Sequence, residues 1–333
     1  MKIDIVIPWV DGLDNEWQKK FNENYRGIND GDANFERYRD WDLLKYWFRG
    51  IEEFAPWYNK IFFITEGHLP SWLNLNNQRL KIIKHSDYIP HQYLPTFSSH
   101  PIEIYINHIK GLSDFFIYFN DDVFLINKAS KDDFFIKNKP VDSFIMNALT
   151  PGGVSHIVLN DLEVLSRHFN KKEVIKKNLF KIFNPKLGLG LIRNLLLLPW
   201  PGFTGFHDHH SAQPYLKKTF DIIWEKEGGK ELMLTSRSKF RRITDINQYL
   251  FRYWQLCEGE YQVRKNKNKN AFYILTNHNV NEVCKHIENQ KTTLISINDS
   301  LEVDFKKNKE RLINSFNKIL SKPSSFEIVD DNK

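Results

Sequence analysis

The sequence predicts an α/β protein built on a mostly parallel sheet flanked by helices, with a helical insertion in its middle. Three observations carry this. Short apolar runs of strand length alternate with segments whose apolar residues recur at helical spacing; several runs end abruptly in Asp or Asn; and a Lys-rich, helix-patterned stretch interrupts the alternation past residue 150. Strands alternating with helical patterns point to βαβ units, and so to parallel pairing.

Ile3, Ile5 and Ile7 alternate while Val6 fills the other face, as in a strand buried on both sides; the run leads into Trp9-Val10-Asp11-Gly12, which puts Asp11 just past a strand end. Leu44, Trp47, Phe48, Ile51 and Ala55 recur at helical spacing, with Asp40 as candidate N-cap and Pro56 as the stop. Residues 60–65 and 81–84 read as short strands, Pro101 opens a helix, and the apolar run 115–119 leads straight into Asn120-Asp121-Asp122. Residues 170–183 mix Lys with apolar residues in a basic amphipathic helix, for which a solvated face and a contact with a membrane surface or lipid-linked acceptor are both open. A helix is predicted from Pro214, with Leu216, Phe220, Ile223 and Trp224 on one face and Gly228-Gly229 behind it. Another, capped by Thr244, carries Ile246, Tyr249, Leu250, Tyr253 and Cys257. Residues 294–297 form the last strand, ending in Asn298-Asp299, and a helix over about 301–320 closes the chain; the Lys-Asn tract 265–270 reads as a solvated loop.

A chain of 333 residues can bury a sizeable core, and 41% hydrophobic with 26% charged residues excludes a disordered chain or a multi-span membrane fold. The net charge of +6 and the pI near 9.0 favour anionic partners. Cys257 and Cys284 form no CxxC or His-spaced pattern, which argues against a disulfide scaffold or zinc ribbon and suits a reducing cytosol. Asp4 interrupts the apolar run a signal peptide needs, and Arg193-Asn194 break the longest apolar stretch, 187–203; a cytoplasmic protein without a membrane span is expected.

Ligands of open α/β sheets bind beyond the carboxyl ends of the strands, so Asp11, Asp121-Asp122 and Asp299 are candidates to converge on one crevice. Paired carboxylates are hard ligands suited to Mg²⁺ or Mn²⁺ on a diphosphate. A turn in which Asn and Asp cap their own backbone is the competing reading. Glu103 falls in the first turn of its predicted helix, where the dipole favours an acid. His207, Asp208, His209 and His210 place three imidazoles in four positions, a general-base signal; zinc is the rival, without Cys or helical His spacing to support it. The cluster lies ahead of the predicted Pro214 helix, whose amides would be open to an anion. Lys239, Arg241 and Arg242 are placed to grip phosphate, with exposed loop charge as the alternative. No phosphate-binding P-loop and no Gly-x-Gly-x-x-Gly run is present, which excludes the ATPases and dehydrogenases built on them.

Several blocks occur in order over nearly the whole chain. The first is Ile3-Asp4-Ile5-Val6-Ile7-Pro8-Trp9-Val10-Asp11-Gly12. The second runs from Arg39-Asp40-Trp41-Asp42 through Ala55-Pro56-Trp57, Pro70-Ser71-Trp72-Leu73 and Leu94-Pro95-Thr96-Phe97-Ser98-Ser99-His100 to Phe116-Ile117-Tyr118-Phe119-Asn120-Asp121-Asp122. The third covers His210, Pro214-Tyr215-Leu216-Lys217, Arg241 and Thr244-Asp245, and the fourth is Ile297-Asn298-Asp299. Together they resemble the Stealth family of sugar-phosphate transferases, which includes bacterial capsule polymerases and the lysosomal N-acetylglucosamine-phosphotransferase. Pro8 and Glu66 depart from the family pattern, which usually has Thr at the first position and Asp or Asn at the second.

The resemblance implies one catalytic unit over 1–333. Residues 1–150 would form a Rossmann-like, nucleotide-sugar-binding part of the glycosyltransferase A type, 151–235 a mainly helical middle, and 236–333 a C-terminal part completing the active site. It implies transfer of hexose 1-phosphate from a UDP-hexose to a hydroxyl of a glycan or lipid-linked glycan, with Mg²⁺ or Mn²⁺, leaving a phosphodiester and releasing UMP. By position, Glu103, Asp122, His210 and Arg241 look like the catalytic residues, Glu103 either orienting His210 or binding the acceptor sugar. Trp9, Asp11, Gly12 and Asn120 fall in the donor motifs, and Asp121, Asp122 and Asp299 are the expected metal ligands. His207 and His209 stay candidates for the base. Two other readings are a glycosyltransferase releasing UDP and a non-catalytic carbohydrate- or nucleic-acid-binding protein; scattered Lys without interleaved stacking residues counts against nucleic acid.

Overall fold

The structure, a computed structural model, describes residues 1–25, 38–264 and 269–328, so most of the expected Lys-Asn loop lies outside the described residues. In chain order the strands are β1 (Ile3–Pro8), β2 (Ile61–Thr65), β3 (Leu80–Lys84), β4 (Phe115–Tyr118), β5 (Val123–Leu125), β6 (Phe135–Ile136), β7 (Lys139–Asp142), β8 (Gln213–Leu216), β9 (Gln262–Val263), β10 (Asn270–Ile274) and β11 (Leu294–Asn298). The helices are α1 (Asn15–Asn24), α2 (Leu44–Phe54), α3 (Ser99–Ile104), α4 (Ser155–His168), α5 (Lys171–Lys177), α6 (Leu179–Ile182), α7 (Gly190–Leu197), α8 (Lys217–Glu227), α9 (Glu231–Ser236), α10 (Tyr249–Glu258), α11 (Val280–Glu288) and α12 (Phe305–Ile319).

The continuous apolar runs become the centre of a five-stranded sheet in the order β3-β2-β1-β4-β8, the first four parallel. Successive residues of β1 feed opposite cores: Ile5 packs with Trp47, Phe48 and Ile51 of α2, whereas Val6 packs with Phe116, Phe220 and Trp254. A sheet covered on both faces explains why β2 and β4 read as almost wholly apolar and β1 is broken by Asp4 alone, while the edge strand β3 carries Lys81 and Lys84. The fold is thus α/β with a mostly parallel sheet flanked by helices.

β8 is the antiparallel outer strand, with Pro214 opposite Ile117. Proline lacks the N–H a central strand needs, but an edge position tolerates it. The helix predicted from Pro214 therefore begins at Lys217, and the His cluster precedes a strand rather than a helix N-terminus. Four residues after β4 the chain enters β5, which pairs antiparallel with β11 in a second sheet ordered β10-β11-β5. Asp121 and Asp122 sit at this passage from one sheet to the next.

Other boundaries shift for local reasons. α2 starts at Leu44 with no side-chain cap, and Asp40 instead accepts from the Asp42 amide at 2.7 Å. Thr244 caps nothing: α10 begins at Tyr249 and ends on Gly259 at φ 76°, a left-handed position suited to glycine. The predicted 170–183 helix breaks at Asn178, whose side chain donates to Val174 O and Cys257 O, giving α5 and α6. α12 opens at Phe305, capped by Asp304. Helices α1, α4, α7, α9 and α11 and strands β5, β6, β7, β9 and β10 went unpredicted. Among the described residues no helix is long and apolar enough to cross a membrane.

Candidate active site

The carboxyl ends of β1 and β4 form the floor. Trp9 extends β1 through its N–H to Ile64 O at 2.9 Å and stacks on Phe63. The Asp11 amide donates to His68 Nε2 at 3.0 Å, and its carboxylate accepts from the Leu13 amide, closing the turn. At Gly12 any Cβ would lie 2.2 Å from Tyr38 O, so only glycine lets the two backbones approach. Glu66, the departure from the family pattern, is held by Lys20 and His85 at 3.0 Å each; burial works against ionisation, but these hydrogen bonds outweigh it and hold its carboxyl at about 2.

Asp122 joins the two sheets to the histidine loop. Its carbonyl accepts from Ile297 N of β11 at 2.9 Å, its Oδ2 lies 3.0 Å from His210 Nε2, and its Oδ1 is buried without a partner. β11 also fixes the loop itself, through Ser296 Oγ donating to His210 O at 2.5 Å. From below, the buried Arg252 grips Asp142 with two nitrogens at 2.8 and 2.9 Å and donates to Asp208 at 2.5 Å, while Tyr253 OH donates to Asp208 at 2.6 Å.

Three neighbouring histidines thus meet three different environments. Burial, with Arg193 and Arg252 nearby, lowers the pKa of His207; burial with Arg264 and Arg252 pushes His209 down to about 3. Their rings pack 4.6 Å apart. For His210 burial also opposes protonation, but the hydrogen bond and charge of Asp122, aided by Asp121, outweigh it and raise its pKa above the ordinary 6.5. The structure brings His210, and neither of the others, to Asp122.

The Asp121 residue is exposed to solvent, yet desolvation of its carboxyl by the surrounding protein, plus the adjacent Asp122 charge, pushes it up to about 7. Asp40 is likewise raised, by burial first and then by Asp42 and Asp11, and its own charge adds to the field at Asp121. Arg241 is the opposing charge, favouring ionised Asp121; its Nη2 donates to Ser99 Oγ at 3.0 Å. Asp299 does not join the pair: Arg39 holds both its oxygens, at 2.6 and 2.5 Å. Among the described residues no three His, Cys, Asp or Glu side chains form a ready cation cage. The donor set present, Asp121 with the unpartnered Oδ1 of Asp122, fits a hard cation such as Mg²⁺ that takes one or two carboxylates and fills its shell with phosphate and water.

Of the two roles expected for Glu103, orienting His210 finds no contact in the structure. Glu103 is 5% exposed, accepting from Tyr118 OH and from Gln248 N at 3.2 Å each, so it ties the end of β4 to the start of α10 and does not touch His210. Sequence reasoning missed a buried imidazole–carboxylate pair, His100 Nδ1 to Asp245 Oδ2 at 2.9 Å. Asp245 also accepts from Ser238 Oγ at 2.6 Å and Arg242 N at 2.9 Å, so it clamps the loop carrying Arg241. Both residues stood inside the quoted motif blocks, which was the one available signal. Asp40 was placed as a cap and proves to be part of the acidic field.

Comparison with known proteins follows this geometry. Residues 37–142 match the family model for Stealth protein CR2, conserved region 2, the segment that carries Asp40, Glu103 and the Asp121-Asp122 pair. Capsular polysaccharide phosphotransferase WcwK of Streptococcus pneumoniae is 40% identical over 98% of each chain. Receptor polysaccharide phosphotransferase WefC of Streptococcus oralis is 36% identical over 98% of this chain and 99% of its own. Exopolysaccharide phosphotransferase cps2G of Lactiplantibacillus plantarum is 33% identical over 98% and 96%. The solved galactosyltransferase LgtC, covering 96% of this chain at 9% identity and a TM-score of 0.42, is too distant to assign a glycosyltransferase subclass. Near-full-length identity at this level, with the CR2 match spanning the site acids, settles the relation: the chain belongs to the Stealth family of polysaccharide phosphotransferases.

Proposed function

We propose that this chain moves hexose 1-phosphate from a UDP-hexose to a hydroxyl of a glycan or lipid-linked glycan acceptor in capsule or cell-surface polysaccharide synthesis. The observation that carries the reading is the His210–Asp122 pair at the end of a parallel strand, beside Asp121 and within the field of Arg241. Its relatives' names, all polysaccharide phosphotransferases, support the same class.

In this reading Asp122 Oδ2 accepts from His210 Nε2 and orients the ring, leaving Nδ1 to take the proton of the acceptor hydroxyl. The acceptor oxygen forms a bond to the β-phosphorus while the bond from that phosphorus to the bridging oxygen breaks, and UMP leaves with the bridging oxygen. Arg241, positioned through Ser99, offsets the charge that builds on the phosphoryl oxygens. Asp121 and Asp122 Oδ1 would hold a divalent hard cation. Bound there, the cation supplies charge neutralisation on the diphosphate. Trp9, Asp11, Gly12 and Asn120 border the donor side.

The deciding experiment incubates the purified protein with Mg²⁺, a panel of UDP-hexoses and an oligosaccharide acceptor, and identifies the released nucleotide. UMP is expected. UDP would move the attack to the anomeric carbon and overturn the phosphotransfer step.

A further inference from the structure

Helix α7 is built inside out. Its buried positions are Gly190 and Asn194, while Ile192, Leu195 and Leu196 face solvent. The inward face is fixed by polarity and close approach: Asn194 donates to Phe144 O at 2.9 Å and Ile182 O at 2.8 Å and accepts from Met146 N at 2.7 Å, and a Cβ at Gly190 would lie 2.5 Å from the Ile145 side chain. A helix of a water-soluble domain buries its apolar stripe and solvates its polar one; here the order is reversed, so the apolar stripe lacks a partner among the described residues.

The neighbouring turns extend the same surface. Phe180 is 89% exposed, Leu189 78%, Leu196 67% and Trp200 54%, and residues 179–200 hold eight of the nineteen large apolar side chains exposed among the described residues. Scattered exposed apolar residues need no explanation, whereas a contiguous set marks an interaction site. The charge is equally uneven. Residues 171–200 carry seven Lys and Arg against a single acid, Glu173, a surplus equal to the whole formal charge of +6, so the rest of the chain is balanced. Three of these cations also bond within the chain: Lys171 Nζ donates to the carbonyls of Leu197 and Trp200 at 2.7 Å and pins the C-terminal end of α7, Lys181 Nζ donates to Gly259 O and Tyr261 O, and the exposed Arg193 donates through Nη1 to Asn147 Oδ1 at 2.9 Å. Lys172, Lys176, Lys177, Lys186 and Arg193 stay exposed around the apolar stripe.

We propose that residues 179–200, rimmed by these five cations, dock the protein on the surface of an anionic phospholipid bilayer. Apolar side chains with an indole at their edge enter the headgroup boundary, and the basic rim meets the lipid phosphates. Charge complementarity selects this occupant over a second copy of the chain, because a symmetric dimer through this face would set the entire +6 of one subunit against that of the other. Of the amphipathic helix predicted over 170–183, only Leu179 and Phe180 join the apolar contact: Val174 and Ile182 are buried, and its exposed Lys residues form the rim. Six residues beyond Trp200, Phe206 bridges back to Met146 and the chain enters the His207–His210 loop, so a bilayer on this face lies beside the acceptor side of the site. Only this last consequence rests on the proposed transferase reading.

The test uses the full chain without donor or acceptor, so its failure leaves the transferase reading standing, and the converse holds. Cosedimentation with vesicles of phosphatidylglycerol and phosphatidylcholine is compared with pure phosphatidylcholine, at low and high salt. At least tenfold stronger binding to the anionic vesicles, weakened by salt, is expected. Leu195→Asp with Leu196→Asp should abolish binding at least tenfold with unchanged thermal melting, and so should Lys172→Glu, Lys176→Glu and Lys177→Glu together. Equal partition to both vesicle types, no binding, or wild-type binding by these variants would overturn the proposal. So would a dimer in light scattering that the Leu195→Asp, Leu196→Asp variant dissolves.

Discussion

Two acidic pairs lie within one loop's reach of each other and behave in opposite ways. At Asp142 and Asp208 the carboxylates are fully engaged: Arg252 forks onto Asp142 and reaches Asp208, with Tyr253 OH on the latter's second oxygen. Burial pushes both up: at Asp142 the Arg252 charge and hydrogen bonds outweigh it and hold the carboxyl below the usual range, while at Asp208 burial prevails over Arg252 and Tyr253 and the carboxyl stays raised, so the pair differs from Asp121 and Asp122 in its partners rather than in every titration. At Asp121 and Asp122 two acids are adjacent in the chain, burial and the Asp122 charge drive Asp121 up to about 7, and Asp122 Oδ1 is buried with no partner. Carboxylates whose oxygens are all satisfied build structure. Carboxylates kept close together and under-satisfied store a demand that a ligand, a cation or a proton answers, which is the signature of a site.

The sharpest way to break this contrast is to remove each pair in turn. Asp122→Asn and His210→Ala should each lower kcat/KM for nucleotide release by about 10³-fold, within the range for lost general-base chemistry, while circular-dichroism melting stays at the wild-type value. Near-normal turnover by His210→Ala would remove it as the base. Arg252→Met should do the reverse. Two buried acids lose their cation, at a cost of about 3–5 kcal/mol, and urea denaturation should register it; activity would fall only as far as the folded population does.

A smaller effect sharpens the acidic side of the comparison. Because the Asp121 carboxyl is raised in the folded state, folding favours its protonated form, so stability is lost as pH climbs from the ordinary carboxylate range through about 7. Mg²⁺ should therefore raise the melting temperature more at pH 8 than at pH 5.5. Asp121→Asn should lessen that dependence on pH and weaken the Mg²⁺ shift. A Mg²⁺ shift that is the same at both values, or intact in the variant, would separate the acid pair from cation binding.

The same contrast explains what the sequence disclosed. Strands buried on both faces appear as mainly apolar runs, so the Ile3–Pro8 strand, broken only by Asp4, and the Phe115–Tyr118 strand were legible together with the acids that follow them. Partners were not. His210 lies 88 residues from Asp122 and Asp299 lies 260 from Arg39, so whether an acid waits for a metal or grips an arginine depends on which distant segment the fold delivers. Asp299 and Asp122 both end a strand, and only the structure separates them. Pro214 misled for a local reason, since a proline before an apolar helical face reads as a first helical residue, while its tolerance on an outer strand is a property of the whole sheet. Glu103 was found through its motif, yet its burial against Tyr118 and Gln248 left no trace in residue spacing.

The finest distinction lies between two of the imidazole–carboxylate pairs, His210–Asp122 and His100–Asp245. His210–Asp122 is partly open to solvent, whereas His100 and Asp245 are 2% and 1% exposed, with Asp245 spending its remaining capacity on Ser238 and Arg242. A pair closed on the loop that carries Arg241 should act as a positioning device. Asp245→Asn retains the shape but not the charge, so the loop loosens and kcat should drop about tenfold, as small misplacements of a charge-stabilising group do. KM should change less, and the pH profile should keep its acid limb, because His210 still supplies the titrating base. Asp245→Glu should recover less than the wild type, since an added methylene has no room in so buried a site. A His100→Gln variant that lost as much activity as His210→Ala, together with the acid limb, would make His100 the reacting base and reverse the roles of the two pairs.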